Sequence, residues 1–233
     1  MSTPTEPGEG WLALVATPIG NLSDITLRAL ETLREATIVA AEDTRRAKGL
    51  LTHFEISKRV ISYHAHNEKH KTERMVEEVE GGARIAMLTD AGTPSISDPG
   101  FVLVRAAVER GIEPVIIPGV SAMCFAATAC GFPVTHFSFA GFLPQKGLKR
   151  RTRLAAIAQD VPTVILYESP HRVSKLLVEI SETLGPGTRV VIVREATKRH
   201  EEVIRGTAGE LAAQCAEKTW KGEITVAIHQ ADD

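Results

Sequence analysis

The stretch RIAMLTDAGTPSISDPGFVLVRAAVERG, residues 84–111, decides the fold class. Ile85–Leu88 is a short apolar run of strand length, and Gly100–Arg110 carries apolar residues at helical spacing and stops at Gly111. Between them lie eleven residues, Asp90 to Gly100, made almost wholly of Gly, Pro, Ser, Thr and Asp. A strand, an open loop and a helix in that order form one turn of a parallel α/β winding. Asp98 followed by Pro99 predicts an N-cap with proline at the first helical position.

The same rhythm runs outward in both directions. Toward the N-terminus, Leu12–Ala16 reads as strand, Asp24–Glu35 as a helix striped by Leu27, Leu30 and Leu33 and capped by Ser23 or Asp24, and Ile38–Ala41 as strand. Thr44–Phe54 is helix, Val60–Tyr63 strand and Lys69–Glu80 a charged surface helix. Toward the C-terminus, Pro114–Ile117 is a fifth strand, and Pro118–Gly119 marks the domain boundary. Beyond it follow helix Ser121–Ala129, strand Phe137–Phe142, a basic helix from about Leu148, and strand Val164–Tyr167. Helix Pro170–Leu184 ends at Gly185, and strand Arg189–Arg194 turns at Thr197–Arg199 into Glu202–Arg205, an antiparallel hairpin. Thr207 and Glu210 form a capping box for the last helix before strand Ile224–Ile228. The expectation is a loose tail over 1–10 and two α/β domains: 11–118 with a mostly parallel five-stranded sheet, and 119–233 with a mixed sheet.

Composition bounds the function. The 233 residues hold 27 Lys and Arg against 29 Asp and Glu, a net charge of −2, so a wholly basic nucleic-acid coat is excluded while a local patch is not. With 43% hydrophobic and 24% charged residues the chain is globular and buries roughly 70–75% of its unfolded surface. No apolar run approaches the roughly 18–20 residues of a membrane span. The cysteines, Cys124, Cys130 and Cys215, are three in number without CxxC spacing, which fits a reducing cytoplasm better than a disulfide or zinc framework.

In open α/β sheets ligands bind outside the carboxyl ends of the strands, and four loops there are loaded: Thr17–Asn21, Glu42–Arg46, Tyr63–Asn67 and Asp90–Gly100. The last can bring main-chain amides close to a small molecule. The absence of GxGxxG after the first strand and of GxxxxGK[ST] argues against a dinucleotide site and a P-loop. Glu42 and Asp43 offer a base or a binding carboxylate; the structural alternative is that Asp43 caps the next helix and Glu42 pairs with Arg45 or Arg46. His64 and His66 share a strand face, with His70 four residues further, but no carboxylate or Cys spacing completes a metal-ligand pattern, and a solvated strand end is the preferred reading. Glu168, His171 and Arg172 end another strand, where Ser169 and Pro170 start a helix. Lys146, Lys149, Arg150, Arg151 and Arg153 put five cations in one acid-free stretch, a polyanion signal. Aromatic content is only 5%, which favours recognition by shape and phosphate over base stacking.

Taken together, Leu14–Leu22, Ala41–Arg45, Asp90–Gly100 and Tyr167–Arg172 make the chain resemble the ribosomal RNA small subunit methyltransferase I family, among the tetrapyrrole-methylase-like, class III S-adenosylmethionine-dependent methyltransferases. The resemblance runs from about Trp11 to His229. It implies a homodimeric, metal-free enzyme that methylates the ribose 2′-hydroxyl of a cytidine in the decoding region of 16S rRNA, free or within the small ribosomal subunit. It further implies a cofactor between the domains, contacted by Pro18, Asp90, Ala91, Gly92, Thr93, Ser95, Ser121, Ala122, Tyr167 and Glu168. Thr93 stands where tetrapyrrole enzymes usually carry Asp. Candidate bases are Glu42 first, then Asp43, His64 and Glu168; Arg45, Arg46 and the 146–153 cations would hold RNA. Small-molecule methylation and a non-catalytic RNA-binding assembly factor are the competing readings.

Overall fold

A computed structural model describes residues 9–145 and 147–230. Lys146 and the tail through residue 8 lie outside them. The chain divides into two compact units, Met1–Ser121 and Ala122–Asp233.

The N-terminal unit winds as β1 (Trp11–Val15), α1 (Leu27–Glu35), β2 (Ile38–Ala41), α2 (Thr44–His53), β3 (Arg59–Ser62), α3 (Glu68–Glu80), β4 (Arg84–Leu88), α4 (Phe101–Glu109) and β5 (Val115–Ile117). All five strands are parallel, in the order β3-β2-β4-β1-β5. Their runs are apolar throughout because both faces are covered. Trp11, Ala13 and Val15 of β1 join Val39, Ala41, Ala86 and Leu88 in one core, packed by Ala29, Leu30 and Leu33 of α1 and Ala47 and Leu51 of α2. The alternate residues Leu12, Leu14, Ile38, Ala40, Ile85 and Met87 turn to the other face, against Met75, Val76 and Val79 of α3 and Leu103 and Ala107 of α4. Leu33 is wholly buried, so Leu33→Ala would cost roughly 2–5 kcal/mol.

Two helix starts differ from the sequence expectation. Helix α1 is capped by Thr26, whose Oγ1 accepts from the Ala29 amide at 3.1 Å, and not by Ser23 or Asp24. Those two are drawn into a separate 3-10 turn, Leu22–Asp24, opened by Asn21 Oδ1 accepting from the Ser23 amide. Helix α4 begins at Phe101 after Gly100, which has φ 141°, and neither Asp98 nor Pro99 opens it. The loop instead folds back on itself, so that the Ser95 amide donates to Pro99 O at 3.1 Å.

The C-terminal unit runs α5 (Ala122–Ala129), β6 (Phe137–Phe142), α6 (Leu148–Asp160), β7 (Thr163–Glu168), α7 (Val173–Leu184), β8 (Arg189–Arg194), β9 (Glu202–Thr207), α8 (Ala208–Gln214) and β10 (Ile224–His229). Its sheet has the order β6-β7-β10-β8-β9, with β6 and β7 parallel and the other pairs antiparallel, a mixed sheet. Helices α6, α7 and α8 cover one face over Val164, Leu166, Val190, Ile192 and Val226. Ala126 of α5 and Cys130 cover Ile165, Val191, Val193 and Ala227 on the other. The Thr207–Glu210 capping box forms with both reciprocal bonds. Ser169 and Pro170 do open a helical segment, but its first turn, Pro170–Arg172, is 3-10.

Candidate active site

Because β3, β2, β4 and β1 are parallel neighbours, their carboxyl ends bring the loops that follow them to one edge of the N-terminal sheet. The loops after β1 and β4 are tied together. Thr17 and Gly92 exchange amide-to-carbonyl bonds of 2.9 and 3.0 Å, and the Thr17 hydroxyl donates to Thr89 O at 3.4 Å. The Asp90–Gly100 loop keeps its shape through left-handed residues: Gly92 at φ 77°, Ser95 at 72° and Ser97 at 65°. For Ser95 and Ser97 that conformation is strained. At Gly100 a Cβ would stand 2.5 Å from Ser95 Oγ, so only glycine fits. Two hydroxyls in this region, Thr89 Oγ1 and Ser95 Oγ, are buried and lack a hydrogen-bond partner among the described residues. Such orphans are uncommon in proteins.

Asp90 joins the second and fourth loops. Its Oδ1 accepts from the Asp43 amide at 3.0 Å, and Oδ2 lies 3.5 Å from Arg46 Nε. Asp43 caps α2, accepting from the Arg45 amide at 2.8 Å, and holds the Arg45 guanidinium through both carboxylate oxygens. Those bonds, led by the Arg45 side chain, lower its carboxyl to about 2. An acid that strong is a poor proton acceptor at neutral pH, which removes Asp43 from the candidate bases. Arg45 and Arg46 thus pair with Asp43 and Asp90, and among the described residues neither forms an ion pair with Glu42. Partial burial, and next the negative charge of Asp90, raise the Glu42 carboxyl above its ordinary value.

His64 follows β3 and interacts with the Glu42 charge. Asn67 Nδ2 donates to Ser62 Oγ at 3.0 Å and lies 3.1 Å from His64 Nε2, which assigns the ring proton to Nδ1. Nδ1 is buried and has no partner among the described residues. His66 is exposed, its ring centroid 5.9 Å from that of His64. No cluster of three His, Cys, Asp or Glu able to hold a metal occurs among the described residues.

A pocket of about 260 Å³ opens beside these loops, wholly within the N-terminal unit. Thr17, Pro18, Gly20 and Leu22 wall it from the β1 side, Arg46, Ala47, Gly49 and Leu50 from α2, and Leu88, Thr89 and Asp90 from β4. Of these, Thr17, Pro18, Gly20, Arg46 and Asp90 fall in the loops the sequence singles out, whereas Leu22, Thr89 and the α2 residues Ala47, Gly49 and Leu50 do not. Thr89 directly follows β4, and that strand-end position is the available signal.

The C-terminal unit corrects two assignments. Arg150 is not a surface cation: it is 1% exposed, its Nε donating to Glu179 Oε2 at 2.6 Å, its Nη1 to Pro144 O at 3.3 Å, and its Nη2 to Glu168. Burial works against the guanidinium charge, and the two carboxylates more than offset it. Glu168 is correspondingly no free ligand contact, since it is 3% exposed and also accepts from Arg172 Nε and the Ser169 amide, both at 2.7 Å. Of the other cations, Lys149 and Arg153 are exposed and Arg151 pairs with Glu182 at 2.8 Å. Tyr167 packs edge-on between Phe139 and Phe142, with centroids at 5.0 and 5.6 Å. Ser121 closes the N-terminal unit and Ala122 opens α5. Ala91 and Thr93 are half-buried in the β4–α4 loop.

Comparison with known proteins narrows what this arrangement is for. Residues 12–212 match the family model of the tetrapyrrole (corrin/porphyrin) methylases. The chain is 47% identical over 230 residues to ribosomal RNA small subunit methyltransferase I of Mesorhizobium japonicum, covering 98% of this chain and 78% of that protein. It is 45% identical over 220 residues to the protein of that name from Halalkalibacterium halodurans, covering 94% and 76%. Among solved structures, uroporphyrin-III C-methyltransferase of Thermus thermophilus superposes with a TM-score of 0.67 at 19% identity, over 95% of this chain and 98% of that one, and has also been solved with S-adenosylhomocysteine. The methyltransferase CobJ gives 0.68 at 21%, over 96% and 95%. At those identities the superpositions establish the α/β fold. The family match and the relatives at 45–47% establish kinship, and the chain belongs to the tetrapyrrole methylase family, in the group of the ribosomal RNA small subunit methyltransferase I proteins.

Proposed function

We propose that the chain is an rRNA methyltransferase that transfers a methyl group to the 2′-hydroxyl of a cytidine in the decoding region of 16S rRNA. Its cofactor is S-adenosylmethionine. That cofactor supplies a methyl group on a sulfonium, activated without metal or further energy input. The β4–α4 loop suits it: left-handed backbone at Gly92, Ser95 and Ser97 and the orphaned Ser95 hydroxyl offer main-chain and side-chain partners to a polar ligand from Ala91 through Ser95.

The observation that carries the reading is Glu42: a half-buried carboxylate at a strand end, without an ion pair among the described residues, beside Asp90 and His64. A ribose hydroxyl is a weak nucleophile until its proton is taken. Glu42, with its affinity for a proton raised by burial and by Asp90, would accept that proton while the bound cofactor gives up its methyl group and leaves as the neutral thioether. His64 stands near enough to influence the charge on Glu42. The Asp90 backbone, which hydrogen-bonds the Glu42 carboxylate, and the Asp43 amide bond to Asp90 next to it hold Glu42 at the strand end. Lys149 and Arg153, exposed on α6, and Arg46 at the pocket rim supply phosphate contacts, which position RNA without reading its sequence. The reading includes a homodimer, checked by sedimentation. No described helix is long and apolar enough to cross a membrane.

The test is methyl transfer from labelled S-adenosylmethionine to purified small ribosomal subunits, beside naked 16S rRNA, with the labelled nucleotide mapped. Label on a decoding-region cytidine, resistant to alkaline cleavage on its 3′ side, is the expected result. Cofactor binding without transfer to any RNA would favour an assembly factor, and transfer only to a small molecule would favour a tetrapyrrole-type activity.

A further inference from the structure

The α2 wall of the 260 Å³ pocket contains a glycine that the helix itself does not need. Gly49 sits inside Thr44–His53, where glycine costs roughly 0.5–1 kcal/mol relative to alanine. A Cβ built there meets nothing within 4 Å, so packing does not forbid a side chain. At the end of β4 the same pocket wall includes Thr89, a residue 5% exposed whose Oγ1 is buried and lacks a partner among the described residues. Next to Thr89 is the Asp90 carboxylate, whose Oδ2 lies a long 3.5 Å from Arg46 Nε. Pro18, Leu22, Leu50 and Leu88 make much of the remainder apolar. Largely apolar walls with one partly exposed carboxylate, Asp90, suit a small heterocycle. The volume is below the roughly 300–1,000 Å³ typical of sites for drug-sized ligands, so one nucleoside-sized group fits better than a whole cofactor.

We infer that this pocket receives the base of the acceptor nucleotide, a pyrimidine carrying an exocyclic amine. Asp90 Oδ2 accepts from the amine, and the same carboxylate repels the carbonyl that uracil presents at that position. Gly49 leaves α2 open for the ring to lie against the helix. Asp90 is therefore shared between the pocket and Glu42, so seating the base and presenting the ribose to its proton acceptor are one event. This inference rests on the methyltransferase reading and assigns Asp90 and Pro18 to the acceptor, where the family resemblance had given them to the cofactor.

The test uses the full chain with Gly49→Ala and Gly49→Phe, which fill the pocket in steps from a position with room for a side chain. Thermal midpoints at or above the parent's verify folding. Gly49→Phe is expected to lower kcat/KM on small ribosomal subunits by about 100-fold, and Gly49→Ala by severalfold, while calorimetric affinity for S-adenosylmethionine stays within about twofold. Cytidine and uridine, titrated at millimolar concentration by NMR, should bind the parent with a preference for cytidine of about 10-fold. That preference disappears in Asp90→Asn, and binding itself disappears in Gly49→Phe. Undiminished methyl transfer by folded Gly49→Phe, its loss of cofactor binding, or equal binding of the two nucleosides would each overturn the inference. A parent chain that methylates no RNA but binds cytidine and loses it in Gly49→Phe would sink the methyltransferase reading and leave the pocket assignment standing.

Discussion

Arg150 in the C-terminal unit and Glu42 in the N-terminal unit are both charged residues drawn away from water, and the two are handled in opposite ways. Around Arg150 the guanidinium is matched by Glu168 and Glu179, and Glu168 is further matched by Arg172 and a backbone amide. Around Glu42, Asp90 adds a second negative charge that its own backbone amide and the charges of His64 and Arg46 only partly offset, and elsewhere at these strand ends Thr89 Oγ1, Ser95 Oγ and His64 Nδ1 lie buried without partners among the described residues. A closed network of charges specifies packing; an open one stores interaction capacity for something that arrives later. On this comparison the C-terminal network is architecture and the N-terminal strand ends are chemistry.

The largest effect should come from opening the closed network. Arg150→Met strands two buried carboxylates and is expected to cost about 3–5 kcal/mol in urea unfolding, whereas adding Glu168→Gln and Glu179→Gln to it should restore most of the loss. If Arg150→Met were neutral for folding but halved RNA affinity, the division between architecture and chemistry would fail. On the open side, Glu42→Gln should leave unfolding nearly unchanged and reduce methyl transfer by about 10²–10⁴-fold with cofactor affinity intact. The parent's pH–rate profile should rise on its acid side at a pH above that of an ordinary carboxylate, because Glu42 must be ionised to accept a proton and its folded-state pKa is raised. Helix caps offer a control common to both units: Thr26→Ala and Thr207→Ala should each cost about 1 kcal/mol. Unequal costs would show that the units differ in more than their buried charge. The smallest effect concerns Asp43. Its folded carboxyl titrates at about 2 against an ordinary 3.8, so its contribution to stability is complete above the higher value and lost as pH falls from there through about 2. Asp43→Asn should flatten that acid limb of the unfolding curve.

The winding was legible in the sequence because each strand of the N-terminal sheet is apolar on both faces and ends in turn-forming residues. Element boundaries failed where local chemistry offered a choice. Asn21, Ser23, Asp24 and Thr26 can all cap, and only the chain's path selects Thr26 for α1. Arg150 was misread for a different reason. A run of cations looks like a surface, yet on a helix residue 150 shares a stripe with Leu154 and Ile157, both buried. Its partner Glu179 likewise lies between Leu176 and Ile180 on α7, 29 residues away in sequence. The apolar stripe could have flagged each of them, but the pairing is tertiary and no local pattern encodes it. At the candidate site the sequence pointed to the loops, and to Glu42 and Asp90 within them. It could not show that Asp43 is tied up by Arg45, or that Gly49 and Thr89 face the same space.

The paired bonds between Thr17 and Gly92 make the β1 and β4 loops answer to one opening. Each amide has its acceptor on the other loop, so parting of the two loops releases both to solvent at once. In a hydrogen-exchange experiment the two should therefore behave as a single reporter, with one protection factor and one response to added ligand. That gives a clock for how often the strand-end loops part, read from two amides and requiring no substrate.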